Sequence, residues 1–268
     1  MLAKARAFLR RDFLSQWSYK FGFLYDLASL FSSVLTLYFV GRLFGQTAPA
    51  SVAAYGTDYF TFSLIGMAFL DYMWVSMRTF AQQVRMAQFM GTLEAMMATT
   101  THPFLIILGS AAYPYVWTTL RSAVFLGLGV GLFGARFGDV HAGSVMMFLA
   151  LIGLCFGGIG IASAAMTLYL KQSDPLTSLI GGVSFLFGGI VYPVQSLPGV
   201  LQDVAWVLPM THAVEGLRLA LLGGQSPVEL APHALVLLGW AALAFPLAFF
   251  ALSRVLRILS REGSFGAY

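Results

Sequence analysis

This chain of 268 residues offers few side chains able to do chemistry, and their spacing limits what that chemistry can be. A phosphate-cradling P-loop needs a glycine-rich stretch ending in Gly-Lys and then Ser or Thr. The lysines are Lys4, Lys20 and Lys171, and none follows a glycine. The chain therefore has no such nucleotide site of its own and is not expected to be an enzyme. His102, His141, His212 and His233 fall in four different connecting stretches, so a metal cluster is not expected. Neither HExxH nor GxSxG occurs. A single cysteine, Cys155, sits in an apolar run and can form neither an internal disulfide nor a CxxC metal site. What remains is a set of ionisable residues at or within apolar runs: Asp26, Asp71 and Arg121. Charges at bilayer depth cost about 2.5–3.5 kcal/mol each on insertion scales, so they are functional candidates by default.

The elements that must position these residues follow from composition. Hydrophobic residues make up 59% of the chain and charged residues 10%. Soluble domains run near ~45–50% and ~25%. The mean hydropathy is +0.80. One soluble core could not hide that much apolar surface, which excludes a soluble enzyme, a disordered chain and a nucleic-acid-binding domain. Residues 1–20 are broken by Lys4, Arg6, Arg10, Arg11 and Asp12, so no cleavable signal peptide is expected. Leu2, Leu9, Phe13 and Trp17 instead share a helical stripe that fits an interface helix lying on a bilayer.

A spanning helix needs ~20 mainly apolar residues. Six segments qualify: residues 21–40, 59–77, 104–133, 143–170, 176–194 and 234–253. The ~10-residue alternation of a membrane barrel is absent. The predicted fold is an all-α polytopic membrane protein with both termini on one side. Lys4, Arg6, Arg10, Arg11, Lys20, Arg78, Arg85, Lys171, Arg254, Arg257 and Arg261 fall on that side. Arg42, Arg136 and Arg218 fall on the other, so the basic side is expected to be cytoplasmic. The net charge of +4 then reflects topology rather than a polyanionic partner.

Counting along the spans places Asp71 twelve residues below Tyr59, and Arg121 twelve residues below Phe133. At ~1.5 Å per residue both lie ~18 Å beneath the outer boundary. Equal depth on consecutive antiparallel helices predicts an ion pair; the alternative is that each faces a watery cavity alone. Gly127/Gly131 and Gly153/Gly157 have the spacing that lets helices approach closely. Pro114 and Pro246 are expected to kink their spans. No internal repeat is evident, which counts against an inverted-repeat carrier.

Two connections are long. Residues 195–229 are too apolar for a hydrated loop. Their helical stretches, split by Pro209 and closed by Gly223–Gly224, predict a re-entrant pair of short helices between spans five and six. Its apolar surface, Val204 and Leu217 included, is expected in the outer leaflet. Residues 78–103 form the large cytoplasmic connection. Within it, residues 84–98 predict a short helix parallel to the membrane that presents Arg85, Gln88 and Glu94 to the cytosol.

That connection also holds Gly91-Thr92-Leu93-Glu94-Ala95-Met96-Met97-Ala98-Thr99, which resembles the GTLE-x-L-L-A-T signature of type-2 ABC transporter permeases. Gly188-Gly189-Ile190-Val191-Tyr192-Pro193, Leu197-Pro198, Pro209, Glu215 and Arg218 resemble the family's span-five end and outer re-entrant helices. A departure is Thr100, where the family often has proline; Pro103 follows instead. The resemblance implies the membrane subunit of an ATP-driven exporter in the cell (plasma or inner) membrane. It implies a second permease, most simply an identical one, and two copies of a cytoplasmic ATPase that binds ATP and Mg. No cofactor is expected on this chain. Arg85, Gln88, Thr92, Glu94 and His102 would couple to the ATPase. Tyr192, Pro193, Pro209, Glu215 and Arg218 would form an external gate. Spans with few charges suggest an amphiphilic drug or lipid-like cargo. The readings left open are a polysaccharide or glycolipid exporter of the same family, and a stand-alone channel or proton-coupled carrier using Asp71 and Arg121.

Overall fold

The computed structural model describes residues 20–43, 50–91, 109, 111–170 and 175–262. The described chain is helical without strands. α1 is Lys20–Leu43, α2 the single turn Ala50–Ala53, α3 Tyr59–Phe89, α4 Ala112–Phe133, α5 Ala142–Leu170 and α6 Pro175–Phe187. A 3₁₀ turn at Val194–Ser196 leads to α7 Gly199–Val207, α8 Pro209–Leu222 and α9 Ala231–Glu262. Five of these helices, α1, α3, α4, α5 and α9, are long and apolar enough to cross a bilayer. The expected interface helix over residues 1–20 lies, apart from Lys20, outside the described residues.

α5 is the hub and packs most extensively on α9 and α3. Phe148, Ile152 and Phe156 of α5 are buried with Phe69, Met73 and Met77 of α3 and with Leu237 and Ala241 of α9. In lipid the hydrophobic effect does little to bring helices together, so close packing must. Glycines on α5 make that possible. A Cβ on Gly158 would stand 2.9 Å from Ala244 Cβ, and one on Gly160 2.7 Å from two carbonyl oxygens of α3. Gly153 and Gly157 seat Tyr115 of α4, whose hydroxyl donates to Gly153 O at 3.1 Å. Gly127 and Gly131 face open space instead.

Two boundaries and the placement of one proline depart from expectation. α3 does not end near Met77 but continues unbroken to Phe89. Residues 78–89 are therefore the tail of the second span rather than part of a separate helix along the membrane. The polar side chains there lower hydropathy without lowering helix propensity, and the helix ends at Phe89, shortly before Gly91, whose φ of 66° is left-handed. α6 stops at Phe187, not Val194. Its 13 residues reach about 20 Å, short of the ~30 Å apolar layer. Gly188 and Gly189 (φ 69°) break it, and the apolar residues that follow run on without helix. Finally, Pro114 is the third residue of α4, a first-turn position a proline tolerates, and residues 104–108 of the expected span lie outside the described residues. Pro246 does lie inside α9.

Candidate functional site

Three groups of side chains lie along the bundle. At its basic end, Arg78 and Arg85 are exposed on the tail of α3, and Arg78 stacks on the Trp74 ring at 4.2 Å. Gln88 is on the same tail. Thr92, Glu94 and His102, three of the five expected coupling residues, lie outside the described residues.

Halfway along, Arg121 Nε of α4 lies 3.6 Å from Asp71 Oδ2 of α3. The depth count from the sequence places these two residues at the same level. Both side chains are about a third exposed, at 27% and 36%. The pair sits at a face of the bundle rather than in its core. Asp26 of α1 adds a second carboxylate within electrostatic reach of Asp71.

At the opposite end, α8 carries a connected set of buried polar contacts. Pro209 occupies its first turn with no N–H to satisfy, and Gly223 caps its end. One face carries Met210, Val214, Leu217 and Leu221 into the core. Leu217 is fully buried, whereas Val204 of α7 is 45% exposed. Only α7 therefore offers its apolar side chains outward; α8, expected in the outer leaflet, is a core helix. Sequence could not distinguish them, because both are short, apolar and bounded by proline.

Arg218 of α8 is 1% exposed. Its Nη1 donates to Gly189 O at 2.6 Å; its Nη2 donates to Ile190 O at 2.7 Å and Phe62 O at 3.2 Å. The guanidinium carbon lies 3.4 Å from the Phe62 ring centre. These carbonyls belong to the break after α6 and the start of α3, so one buried cation ties three segments together. The fork geometry of guanidinium suits this; a lysine ammonium would not span it. Gly66 leaves room for the arrangement, since a Cβ there would collide with Ile190 O and press on Arg218 Nη2. Burial lowers the Arg218 pKa to about 10, with Glu215 and Tyr55 opposing, so the cation persists at neutral pH.

Glu215, one turn back, accepts from the Tyr55 hydroxyl through both carboxylate oxygens, at 3.0 and 2.9 Å. Burial raises the Glu215 pKa, with the Arg218 charge and the Tyr55 bond pulling the other way. Burial first, then the Glu215 charge, push the Tyr55 phenol up to about 12. The phenol therefore stays a donor. Tyr192 donates to Leu186 O, and buried Pro193 precedes the 3₁₀ turn. All five expected gate residues thus lie on or beside α8 and the break it holds.

The placement of two histidines needs correction: His212 and His233 lie within α8 and α9, not in connecting stretches. His212 and His233, 21 positions apart, meet with their Nδ1 atoms 3.0 Å apart. His212 Nε2 donates to Trp206 O at 2.7 Å, because a carbonyl can only accept. That leaves His212 Nδ1 bare to accept from His233. The contact joins α7, α8 and α9 through tertiary packing, which no spacing rule reveals. Among the described residues, no three His, Cys, Asp or Glu converge as a metal site.

Five bilayer-length apolar helices with the glycine-seamed α5 at their hub, ordered polar groups at one end and an ion pair midway, describe a multi-pass membrane protein. A profile of the ABC-2 type transporter family matches residues 4–222, and the chain belongs to that family. Among curated relatives, Nodulation protein J of Rhizobium leguminosarum bv. viciae is 27% identical over 135 residues, 49% of this chain and 50% of the relative. Nodulation protein J of Neorhizobium galegae is 28% identical over 169 residues, 62% of this chain and 61% of the relative. The "Probable multidrug ABC transporter permease YbhR" of Escherichia coli (strain K12) is 24% identical over 125 residues, 46% of this chain and 33% of the relative. The chain thus spans about half the length of the first curated relatives it matches.

Proposed function

We propose that this chain is the permease of an ATP-driven exporter that moves an amphiphilic drug or lipid-like substrate outward. Two copies would pair and engage two copies of a separate ATPase, on which ATP and Mg are bound. The basic end, with both termini, is cytoplasmic in this reading. Arg85, Gln88, Thr92, Glu94 and His102 meet the ATPase there. Tyr192, Pro193, Pro209, Glu215 and Arg218 close the opposite end at rest. The family membership favours a driven transporter over a stand-alone channel or proton-coupled carrier.

The observation that carries the substrate class is the outward surface of α1 and α4. Phe21, Tyr25, Phe31 and Phe39 on α1, and Val116, Leu120, Val124 and Leu132 on α4, are exposed. Such a surface solvates an apolar tail and offers little to a highly charged polymer. The multidrug designation of the Escherichia coli relative points the same way.

The test is reconstitution into vesicles with and without the ATPase. A fluorescent amphiphilic dye should move only with ATPase and ATP present, and a charged oligosaccharide should not. Dye flux by the permease alone would sink the exporter reading. ATP-driven flux of the oligosaccharide and not the dye would sink the substrate class.

A further inference from the structure

A cavity of about 230 Å³ opens at the basic end, between the tail of α3, the end of α5 and the first turn of α6. Arg78, Gln82 and Arg85 line it from α3, Thr167 from α5, and Thr177 and Ser178 from α6. No carboxylate is among its described lining residues. Two guanidinium groups therefore share one cavity with an amide and three hydroxyls; Thr177 also donates to Ser163 Oγ at 3.2 Å, and Arg85 and Ser178 make further contacts of their own. The start of α6 adds the partial positive charge that a helix carries at its N-terminus. Independently, Thr167 is 3% exposed, and its Oγ1 has no hydrogen-bond partner. A mid-helix threonine ordinarily satisfies its hydroxyl on the preceding turn. A buried hydroxyl left unmade costs about 1–3 kcal/mol, so its presence beside a cationic cavity calls for an acceptor.

Depth narrows the ligand. Arg78 lies nineteen residues beyond Tyr59, about 28 Å along α3, close to the ~30 Å thickness of the apolar layer. The cavity is thus level with lipid headgroups. We propose that it binds a phosphate group, presented by an anionic lipid headgroup or as free phosphate, held by Arg78 and Arg85 with the Thr167 hydroxyl donating. Arg85 belongs as well to the end proposed to meet the ATPase, so the variants that test the site are made at Arg78 and Thr167.

The experiment uses the purified full chain in mild detergent. Native mass spectrometry measures retention of added phosphatidylglycerol against phosphatidylcholine, and thermal unfolding measures stabilisation by inorganic phosphate. Preferential retention of phosphatidylglycerol, falling about tenfold in Arg78→Gln and in Thr167→Val, is the expected result for a lipid source. Stabilisation by millimolar phosphate, lost in the same variants and with no lipid preference, assigns the site to free phosphate. Arg78→Lys should retain part of either signal, and circular dichroism checks that each variant is folded. If Thr167→Val does not fold, Arg78→Gln and Arg78→Lys carry the comparison. Equal retention of both lipids with no phosphate effect, or a preference that the variants leave unchanged, overturns the proposal.

Discussion

Replacing Arg218 should be the most damaging single change at the outer end of the bundle, and its size can be worked from the contacts. The side chain makes two short bonds and one longer bond to main-chain carbonyls, at 2.6, 2.7 and 3.2 Å. A hydrogen bond from a charged group contributes about 1.5–3 kcal/mol net, and a carbonyl left buried without a partner costs a similar amount. The removed guanidinium no longer has to be desolvated, which offsets part of the loss. We therefore expect Arg218→Met, which keeps bulk but no donors, to cost about 3–5 kcal/mol. At ~2–4 °C per kcal/mol for a chain of this size, the apparent Tm should fall by roughly 6–20 °C. Arg218→Lys keeps the charge but neither the fork nor the stack on Phe62, and should fall about halfway between. The assay is thermal unfolding at fixed scan rate in detergent, with limited proteolysis reporting whether residues 188–198 are cut first. An Arg218→Met protein within about 2 °C of the parent, or a lysine variant indistinguishable from it, would refute the clamp.

Gly66→Ala should destabilise by about 1–3 kcal/mol, because its Cβ meets the backbone oxygen of Ile190; an unchanged Tm would mean that α3 and the break after α6 separate freely. Glu215→Gln keeps an acceptor for Tyr55 and removes a buried charge. The folded pKa of Glu215 is raised, so its ionisation costs stability as pH climbs from the ordinary value of 4.5 through the raised one. The Tm of the glutamine variant relative to the parent should therefore rise across that window; a constant difference across pH would refute the burial argument. For the ion pair, Asp71→Asn should impair folding or transport more than the swapped double variant Asp71→Arg with Arg121→Asp. A swap as defective as the sum of both single changes would leave two independent polar groups.

Much of the fold is legible in the sequence, because apolar length alone determines which helices can cross a bilayer. α1, α5 and α9 begin and end within a few residues of their expected limits, apart from the charged tail of α9. The Asp71–Arg121 pairing was equally legible, since depth along antiparallel helices is only a count of residues. α6 was not, because hydropathy continues through Ile190 and Val191 after Gly188–Gly189 has ended the helix. The tail of α3 was not either, because Arg78, Gln82 and Arg85 resemble loop residues to a hydropathy window yet favour helix. The sequence marks Arg218 and Glu215 as notable, but their partners are main-chain carbonyls and a tyrosine some 160 positions away. The His212–His233 contact depends on how α8 and α9 lie together, which single-sequence spacing does not encode.

The uninterrupted run of α3 has a mechanical consequence. Its 31 residues form a rod about 46 Å long, with Arg85 near one end and the Phe62 carbonyl near the other. A rod without a hinge cannot absorb a push at one end; it must tilt. A tilt of about 5° about one end displaces the other by about 4 Å, more than the length of any bond Arg218 makes to its carbonyls. A nudge delivered near Arg85 would thus reach Phe62 as a displacement large enough to break the hold, and would need no chain of rearranging side chains in between.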